Sequence, residues 1–377
     1  MRIRLNQFKP LKLDRYVLEE IVYPFFGGVV FFSFVFLMSQ VLRLADFMIV
    51  HGISGAIVTK LSFLFVLSFL PISIPVSFLI SVLVGFGRLS GDSELVAMKS
   101  NGVSLIRMTF PVLTFSAVTI ALSLALNLNW VPWGERLVKK TLIDIGNTKV
   151  VSSIQGGTFT TGFFDLLVFA ESVNSETNVM KKVFIFDERD PKNPLAVVAK
   201  QGRISPVKES SDLGASIVLQ LEKGNIHQSS VNDDSYQKTD FGKYELYLEV
   251  LGGSGSAAIK PKMYSFHDLV QRIQAEKKIA KSTALRELLV EFWRRISIAL
   301  SPIAFVFLGV GFGTVRTRSV RAGAALIAFV VIFIYYLLQL GATSLAQSGA
   351  APAGLLMQAP NVIMLAIGIW VFRKASW

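Results

Sequence analysis

Five stretches of the chain contain no Asp, Glu, Lys or Arg, which is typical of membrane-spanning helices. They are residues 21–42, 61–87, 108–134, 296–315 and 322–372. Because about 20 helical residues cross a bilayer core, the first four stretches predict one span each. The fifth is long enough for two spans, with a turn predicted where Gly and Pro gather at 346–354. The pattern predicts six transmembrane helices, since buried helices of a soluble protein would carry charged faces.

The region between the third and fourth predicted spans is more polar and has the pattern of β-strands. Val, Ile, Leu and aromatic residues concentrate at 163–171, 183–187, 196–204, 216–223 and 243–250, with turns predicted at 190–194 and 223–225. In the last strand Leu246 and Leu248 alternate with Glu245, Tyr247 and Glu249, which gives one apolar and one polar face. Short strands at this spacing predict a sandwich or a jelly roll.

These patterns divide the chain into three parts. Residues 1–134 hold three transmembrane helices and a short helix expected over 88–100, and residues 135–265 form the β-domain. Residues 266–377 hold a connecting helix, expected to be amphipathic over 266–289, and three further spans. The predicted fold is a polytopic α-helical membrane protein with six transmembrane helices and an inserted all-β, jelly-roll-like domain.

The distribution of Lys and Arg over the short loops predicts the orientation. With the N-terminus inside, thirteen of them lie on the cytoplasmic side: Arg2, Arg4, Lys9, Lys12, Arg15, Arg88, Lys99, Arg107, Arg316, Arg318, Arg321, Arg373 and Lys374. The short opposite loop has only Arg43 and Lys60. Long domains are exempt from the positive-inside rule, so residues 135–295 are not counted. Both termini are therefore expected in the cytoplasm, with the β-domain on the external side.

Composition narrows the classes of function. The chain has no Cys, which excludes disulfides and thiol catalysis, and its three His residues are too far apart for a short metal-ligand motif. It contains no phosphate-binding P-loop, and the predicted spans lack the ionisable residues that an intramembrane enzyme needs. The net charge of +12 reflects cytoplasmic anchoring residues and requires no nucleic acid. No cleavable signal peptide is expected. A conduit without a cofactor of its own is favoured over an enzyme.

Segment 87–102, between the second and third spans, is the most distinctive cytoplasmic piece. It reads Gly-Arg-Leu-Ser-Gly-Asp-Ser-Glu-Leu-Val-Ala-Met-Lys-Ser-Asn-Gly. Ser90, Asp92, Ser93 and Glu94 crowd its start, where helix N-termini favour caps and negative charge, and an Asn-Gly pair closes it. A short helix of this kind is what a permease would present to a motor protein. The alternative is a plain connecting helix in which Glu94 serves only the helix dipole.

At this point the chain resembles the LptF/LptG permease family. The resemblance rests on Pro24, Pro71, Pro75, segment 87–102, Gly156-Gly-Thr-Phe159, Val183-Phe-Ile-Phe-Asp-Glu-Arg-Asp190, Gly202-Arg-Ile and Gly224-Asn-Ile-His227. It implies a multi-pass permease of the bacterial inner membrane with a periplasmic β-domain, working in lipopolysaccharide export. The implied partners are a cytoplasmic LptB-like ABC ATPase dimer that binds the ATP, a paired F-type or G-type permease, and LptC-like and LptA-like bridge proteins.

The resemblance also suggests site residues. Glu94, with Asp92 and Arg88, is expected to couple to the ATPase. Arg43, at the outer end of the first span, is a candidate for a lipid phosphate, although it could equally anchor the helix at the interface or pair with Asp46. Leu246 and Leu248 are candidates for the path of acyl chains through the β-domain, against the alternative of a closed, dry core.

The sequence is compatible with three hypotheses about the function. The first is lipopolysaccharide export, with a slight preference for the F type from the run Gln40-Val-Leu-Arg43 and from segment 87–102. The second is an ABC-type permease for another lipid or for lipoproteins, and the third is a scaffold that only displays a β-domain. A lipid cargo fits the charge-free spans, because a small polar solute would need buried polar groups at mid-membrane.

Overall fold

The computed structural model describes residues 12–51, 54–153, 156–163, 166–174, 179–187, 194–206, 217–230, 235–248, 260–277, 283–314 and 320–376. The chain divides into two compact units. One contains Met1–Val41, Phe65–Gly134 and Pro261–Trp377, and the other contains Leu42–Leu64 and Glu135–Lys260. The inserted β-domain therefore forms a unit with the adjoining ends of three long helices.

Within the described residues, six helical segments are long and apolar enough to cross a membrane, which confirms the predicted number of spans. The helices are α1 (Lys12–His51), α2 (Gly55–Gly91), α3 (Glu94–Ser100), α4 (Leu105–Ala125), α5 (Val131–Ser153), α6 (Phe266–Glu276), α7 (Thr283–Gly313), α8 (Val320–Ser348) and α9 (Ala353–Ser376). A π-helical turn, Leu126–Trp130, joins α4 to α5, so that both belong to one span. The predicted break near 350 is also confirmed, because α8 and α9 are separated by a turn at Gly349.

Helix α7 is the most buried of the spanning helices, and glycines let its neighbours approach closely. A Cβ atom added at Gly309 would lie 2.6 Å from Cγ1 of Val82, and one at Gly313 would lie 2.8 Å from Cβ of Phe86. Both contacts are with α2, whereas a Cβ atom at Gly311 would lie 2.9 Å from Cγ1 of Val371 in α9. Small residues four apart are the usual device for packing helices in lipid, where burial of apolar side chains gives little net gain.

The predicted connecting helix over 266–289 is divided in the structure. α6 ends at Glu276 and α7 begins at Thr283, and residues 278–282 lie outside the described part of the chain. α7 begins 13 residues before its charge-free run at 296–315. Its first turns therefore carry ionisable side chains, which the prediction from the charge-free run left out.

One of these side chains, Arg295, holds the segment 261–264, which precedes α6 and the last three spans. It is buried, and its guanidinium donates to the backbone carbonyls of Pro261, Lys262 and Tyr264 at 3.0–3.1 Å. It also donates to Glu291 Oε1 at 2.9 Å, one turn earlier in α7. A buried charge persists only when it is paired and hydrogen-bonded, and Arg295 meets both conditions.

The inserted domain is a six-stranded antiparallel sheet, which confirms the predicted all-β insertion. Its strands are β1 (Phe159–Phe163), β2 (Leu166–Asn174), β3 (Val179–Asp187), β4 (Leu195–Pro206), β5 (Ile217–Ser230) and β6 (Ser235–Leu248). The strands lie side by side in sequence order, so the described sheet is a meander. It differs from a sandwich of two separate sheets, in which connections cross from one sheet to the other.

The sheet nevertheless encloses a core, because it bends along one row of residues. The row is Glu171, Lys182, Lys200, Lys223 and Gly242, one residue from each of β2 to β6, and it interrupts the otherwise continuous strand pairing. Lys182 and Lys223 adopt positive φ angles of 47° and 51°. A bend of this kind forms a corner between two parts of one sheet.

The burial pattern shows that the bend changes which side chains point towards the core. In β3 the exposed pair Lys181 and Lys182 lies between the buried Met180 and Val183, so the alternation of inward and outward side chains changes phase at the row. The same change occurs in β4, where exposed residues 200 and 201 are flanked by buried ones. Apolar side chains from both sides of the row consequently form a single cluster. A single meander thereby forms an apolar core.

Two details of the predicted strands are wrong. Residues 223–225 do not form a turn between strands but lie inside β5, where Lys223 bends the strand without ending its pairing. The predicted strand 163–171 is two strands, since β1 ends at Phe163 and β2 begins at Leu166. A Lys-Gly pair favours a turn locally, but β5 pairs with β4 and β6 both before and after Lys223, so the chain bends there without reversing.

Among the glycines that the structure describes, Gly224 is the one least tolerant of a side chain. A Cβ atom there would lie 2.1 Å from the carbonyl oxygen of Val198 and 2.7 Å from Cζ of Phe241, whereas Gly242 in the bend row has open space around it. We expect Gly224→Ala to destabilise the β-domain by about 3 kcal/mol, since backbone atoms must move. Gly242→Ala, the matched control, should change stability by less than about 0.5 kcal/mol. Limited proteolysis of the full-length chain in detergent measures both, and equal resistance of the two variants would contradict this account of the bend.

Candidate functional site

Segment 87–102 consists of the end of α2, a tight turn and the short helix α3. α2 continues to Gly91, so Arg88 lies in a spanning helix rather than in the short helix expected over 88–100. α3 begins at Glu94, directly after Ser93, whose φ of 60° is in the left-handed region. This reversal of the backbone separates α3 from α2 and makes it a distinct element.

The end of α3 has the hydrogen bonds expected from the sequence, whereas its start does not. At its start Ser93 makes no side-chain capping hydrogen bond, and Ser90 instead donates to the carbonyl of Thr314 at 3.2 Å. At its end Asn101 donates to the carbonyl of Ala97 at 2.7 Å, and Gly102 follows with a φ of 83°. The predicted end of the helix at the Asn-Gly pair is thus confirmed. The predicted capping of its start by serine side chains is not seen in the contacts of Ser90 and Ser93.

The short helix has one anchored side and one open side. Leu95 is 4% exposed and belongs to the core of the helical bundle, which fixes α3 against the spanning helices. Val96 is 50% exposed, and Asp92 in the preceding turn is also exposed. Lys99 donates to the carbonyl of Ala375 at 3.2 Å, near the end of α9. An apolar residue that stays accessible on such an anchored helix is suited to contact a partner protein.

Glu94 is tied to the first turns of α1. Its Oε2 accepts a hydrogen bond from the Tyr16 hydroxyl at 2.7 Å. The same hydroxyl accepts from Arg88 Nη2 at 3.0 Å, and Arg88 forms an ion pair with Glu20 at 2.5 Å. Arg88 therefore points towards α1, and the phenol of Tyr16 stands between the guanidinium and the carboxylate of Glu94.

A second connection joins α1 to the spanning helix that follows α3. Arg107, at the start of α4, donates two hydrogen bonds to the carboxylate of Asp14, at 2.6 and 2.7 Å. Both side chains are partly buried, and a paired arrangement of this kind is stronger and more directional than a single contact. Helix α1 is consequently linked to both flanks of segment 87–102.

The sequence prediction missed the residues of α1 in this arrangement. Asp14, Tyr16 and Glu20 lie in the polar lead before the first charge-free run, and only the Lys and Arg of that lead were used, for orientation. The signal that could have identified them is the presence of acidic residues in a lead that is otherwise basic. Their partners Arg88 and Arg107 are far away in the sequence, so the pairing itself requires the tertiary structure.

The residues proposed for lipid contact are described to different extents. Leu246 is 6% exposed and packs with Leu219 and Leu221 in the core of the β-domain. Leu248 lies opposite Ile217 in the pairing of β6 with β5, and its side chain is outside the described part of the structure. The side chain of Arg43 in α1 is outside it as well, so its expected contact with a phosphate stays a prediction.

The spanning helices also contain buried polar side chains without charge. Ser297 donates to the carbonyl of Met357 at 2.5 Å, and Asn361 donates to the carbonyl of Ser297 at 2.9 Å. These bonds join α7 to α9 and help to hold them together in lipid. Among the residues that the structure describes, no group of three or more His, Asp or Glu side chains could hold a metal ion.

The fold and this arrangement define a multi-pass membrane protein with a β-domain inserted between its third and fourth spans. Residues 15–374 match the model of the family "Lipopolysaccharide export system permease LptF/LptG", and the chain belongs to this family of transport permeases.

The chain is similar to curated proteins of both the LptF type and the LptG type. The chain is 22% identical over 364 residues to the lipopolysaccharide export system permease protein LptF of Escherichia coli (strain K12), covering 94% of this chain and 93% of that protein. It is 21% identical over 303 residues to the LptG protein of Haemophilus influenzae, covering 80% and 81%. The longer match to LptF gives weak support to the F-type assignment.

Proposed function

We propose that the chain is a permease subunit of an ABC transporter that extracts lipopolysaccharide from the inner membrane and passes it to a periplasmic bridge. The observation that carries the proposal is the match to the LptF/LptG family over nearly the whole chain, including the inserted β-domain. In this assembly ATP is bound and hydrolysed by a partner ATPase dimer of the LptB type. A second permease of the family and bridge proteins of the LptC and LptA types complete it.

The surface of the helical bundle supports a lipid cargo and a paired permease. Helices α1 and α8 are the least buried of the spans. They expose phenylalanines that are each more than half accessible: Phe26, Phe31, Phe34, Phe329 and Phe333. Moving a 14-carbon acyl chain into water costs about 10 kcal/mol, so its route must stay apolar throughout. Two such faces, completed by a second permease, would enclose an apolar cavity for several chains.

The proposal requires cytoplasmic termini and a periplasmic β-domain. Single Cys residues placed in this Cys-free chain at Ser210 and Ser229 should react with a membrane-impermeant thiol reagent in intact spheroplasts. A Cys at Ser100, in α3, should react only after the membrane is opened, because the reagent cannot reach the cytoplasm. Labelling is measured by gel shift of the full-length chain. The reverse pattern would contradict the orientation and, with it, the direction of export.

We propose that Glu94 docks the ATPase, with Asp92 and the open side of α3 as the surrounding surface. Glu94→Lys should reduce the ATPase recovered with the purified permease at least about tenfold, since like charges would then face each other in the contact. Glu19→Lys is the matched control, because it makes the same charge change at an exposed position of α1 and should leave recovery unchanged. Quantitative mass spectrometry gives the ratio. Normal recovery with Glu94→Lys would leave Glu94 a structural residue.

We propose that acyl chains pass through the interior of the β-domain, along the face of β6 that includes Leu246 and Leu248. A photo-crosslinking residue at Leu246 should capture lipopolysaccharide while ATP is hydrolysed, whereas one at the exposed neighbour Glu245 should not. Adducts are detected by immunoblotting. Capture at both positions or at neither would indicate that the domain docks partners without conducting lipid. Arg43 is proposed to bind a phosphate of the same lipid at the outer membrane surface.

A further inference from the structure

The contacts of Tyr16 suggest a role that the proposed docking of Glu94 does not by itself include. Tyr16 lies in the first turns of α1, and its ring packs against the core of the bundle. Its hydroxyl donates to Glu94 Oε2 at 2.7 Å across 78 positions of sequence. This is the contact through which the first residue of α3 is held to a spanning helix.

The side chain of Glu94 needs such a contact because the local structure of α3 does little to order the first residue of the helix. The helix has seven residues, fewer than an isolated helix requires to be stable in water. It starts after a left-handed residue and lacks a side-chain capping bond at that end. A glutamate side chain at this position would sample several rotamers, and ordering it on binding would reduce affinity. The tyrosine is a stiff support, since its partly buried ring packs against the core of the bundle and has few rotatable bonds.

The hydroxyl of Tyr16 also lies between Glu94 and the guanidinium of Arg88. Arg88 donates to the Tyr16 hydroxyl and forms an ion pair with Glu20 of α1. Glu94 therefore receives its hydrogen bond from a neutral hydroxyl and not from the guanidinium of Arg88. In the described part of the chain only Oε2 of Glu94 accepts a hydrogen bond, and Oε1 accepts none.

We propose that Tyr16 is a positioning residue for the docking of the ATPase. It holds the carboxylate of Glu94 by Oε2 so that Oε1 faces a basic group of the partner. Since Tyr16 belongs to α1, the same bond transmits a displacement of α3 to the helix whose phenylalanine face is proposed to contact lipid. This inference rests on the proposed docking of Glu94.

The test is a double-mutant cycle with the full-length permease in detergent and its purified partner ATPase. Tyr16→Phe removes only the hydroxyl and should weaken binding of the ATPase about tenfold, the effect expected for a hydrogen bond to a charged group. Glu94→Gln should weaken binding as well. In the Glu94→Gln background, Tyr16→Phe should have little further effect, because the carboxylate that it orients is gone. Tyr23→Phe, at a 76% exposed position of α1, is the control and should bind normally.

The outcomes separate this inference from the proposed function. If Glu94→Gln binds the ATPase normally, the docking role of Glu94 is wrong and the inference fails with it. If Glu94→Gln weakens binding but Tyr16→Phe does not, or if the two losses simply add, docking stands and only the role of Tyr16 is overturned. A second readout is the mobility of a spin label at Val96 in the permease alone. It should rise in Tyr16→Phe and stay unchanged in Tyr23→Phe, and equal mobility in both variants would also overturn the inference.

Discussion

Backbone amides and carbonyls inside a bilayer have no water to bond, so a chain crosses it only as helices or as a closed barrel, which satisfy these groups internally. The six long helices meet this constraint, and it also determines where charge is placed. Arg295 is buried in α7 just before the charge-free run, with its guanidinium bonded to Glu291 and to three carbonyls. Because apolar contact between helices gains little in lipid, the close approach at Gly309 and Gly313 is what sets α2 against α7.

The β-domain is subject to a different constraint. Its strands are neighbours in sequence order, and they must still enclose an apolar interior. A flat meander would leave one apolar face open to water. The bend at Lys182 and Lys223 changes the phase of the side chains, so that residues on both sides of it contribute to one core. The tight fit at Gly224 follows from this bend, since strands β4 and β6 approach it from both sides.

Helix α1 joins the two features on which the proposed function depends. Its first turns hold segment 87–102 through Asp14, Tyr16 and Glu20, and further along it exposes an apolar, phenylalanine-rich surface. The residues that hold the proposed motor contact and the surface proposed to face the lipid therefore belong to one continuous helix, with Pro24 between them.

The sequence alone determined the six spans and the existence of the inserted β-domain, because long charge-free runs and alternating strands are local patterns. It also indicated segment 87–102, whose Asn-Gly end is a local signal. Only the tertiary structure decided that Lys223 and Gly224 lie inside a strand, because hydrogen bonds from β4 and β6 override their preference for a turn. Likewise, Tyr16 meets Glu94 and Arg107 meets Asp14 only after the helices pack, since their positions are too far apart in the chain for any spacing rule to relate them.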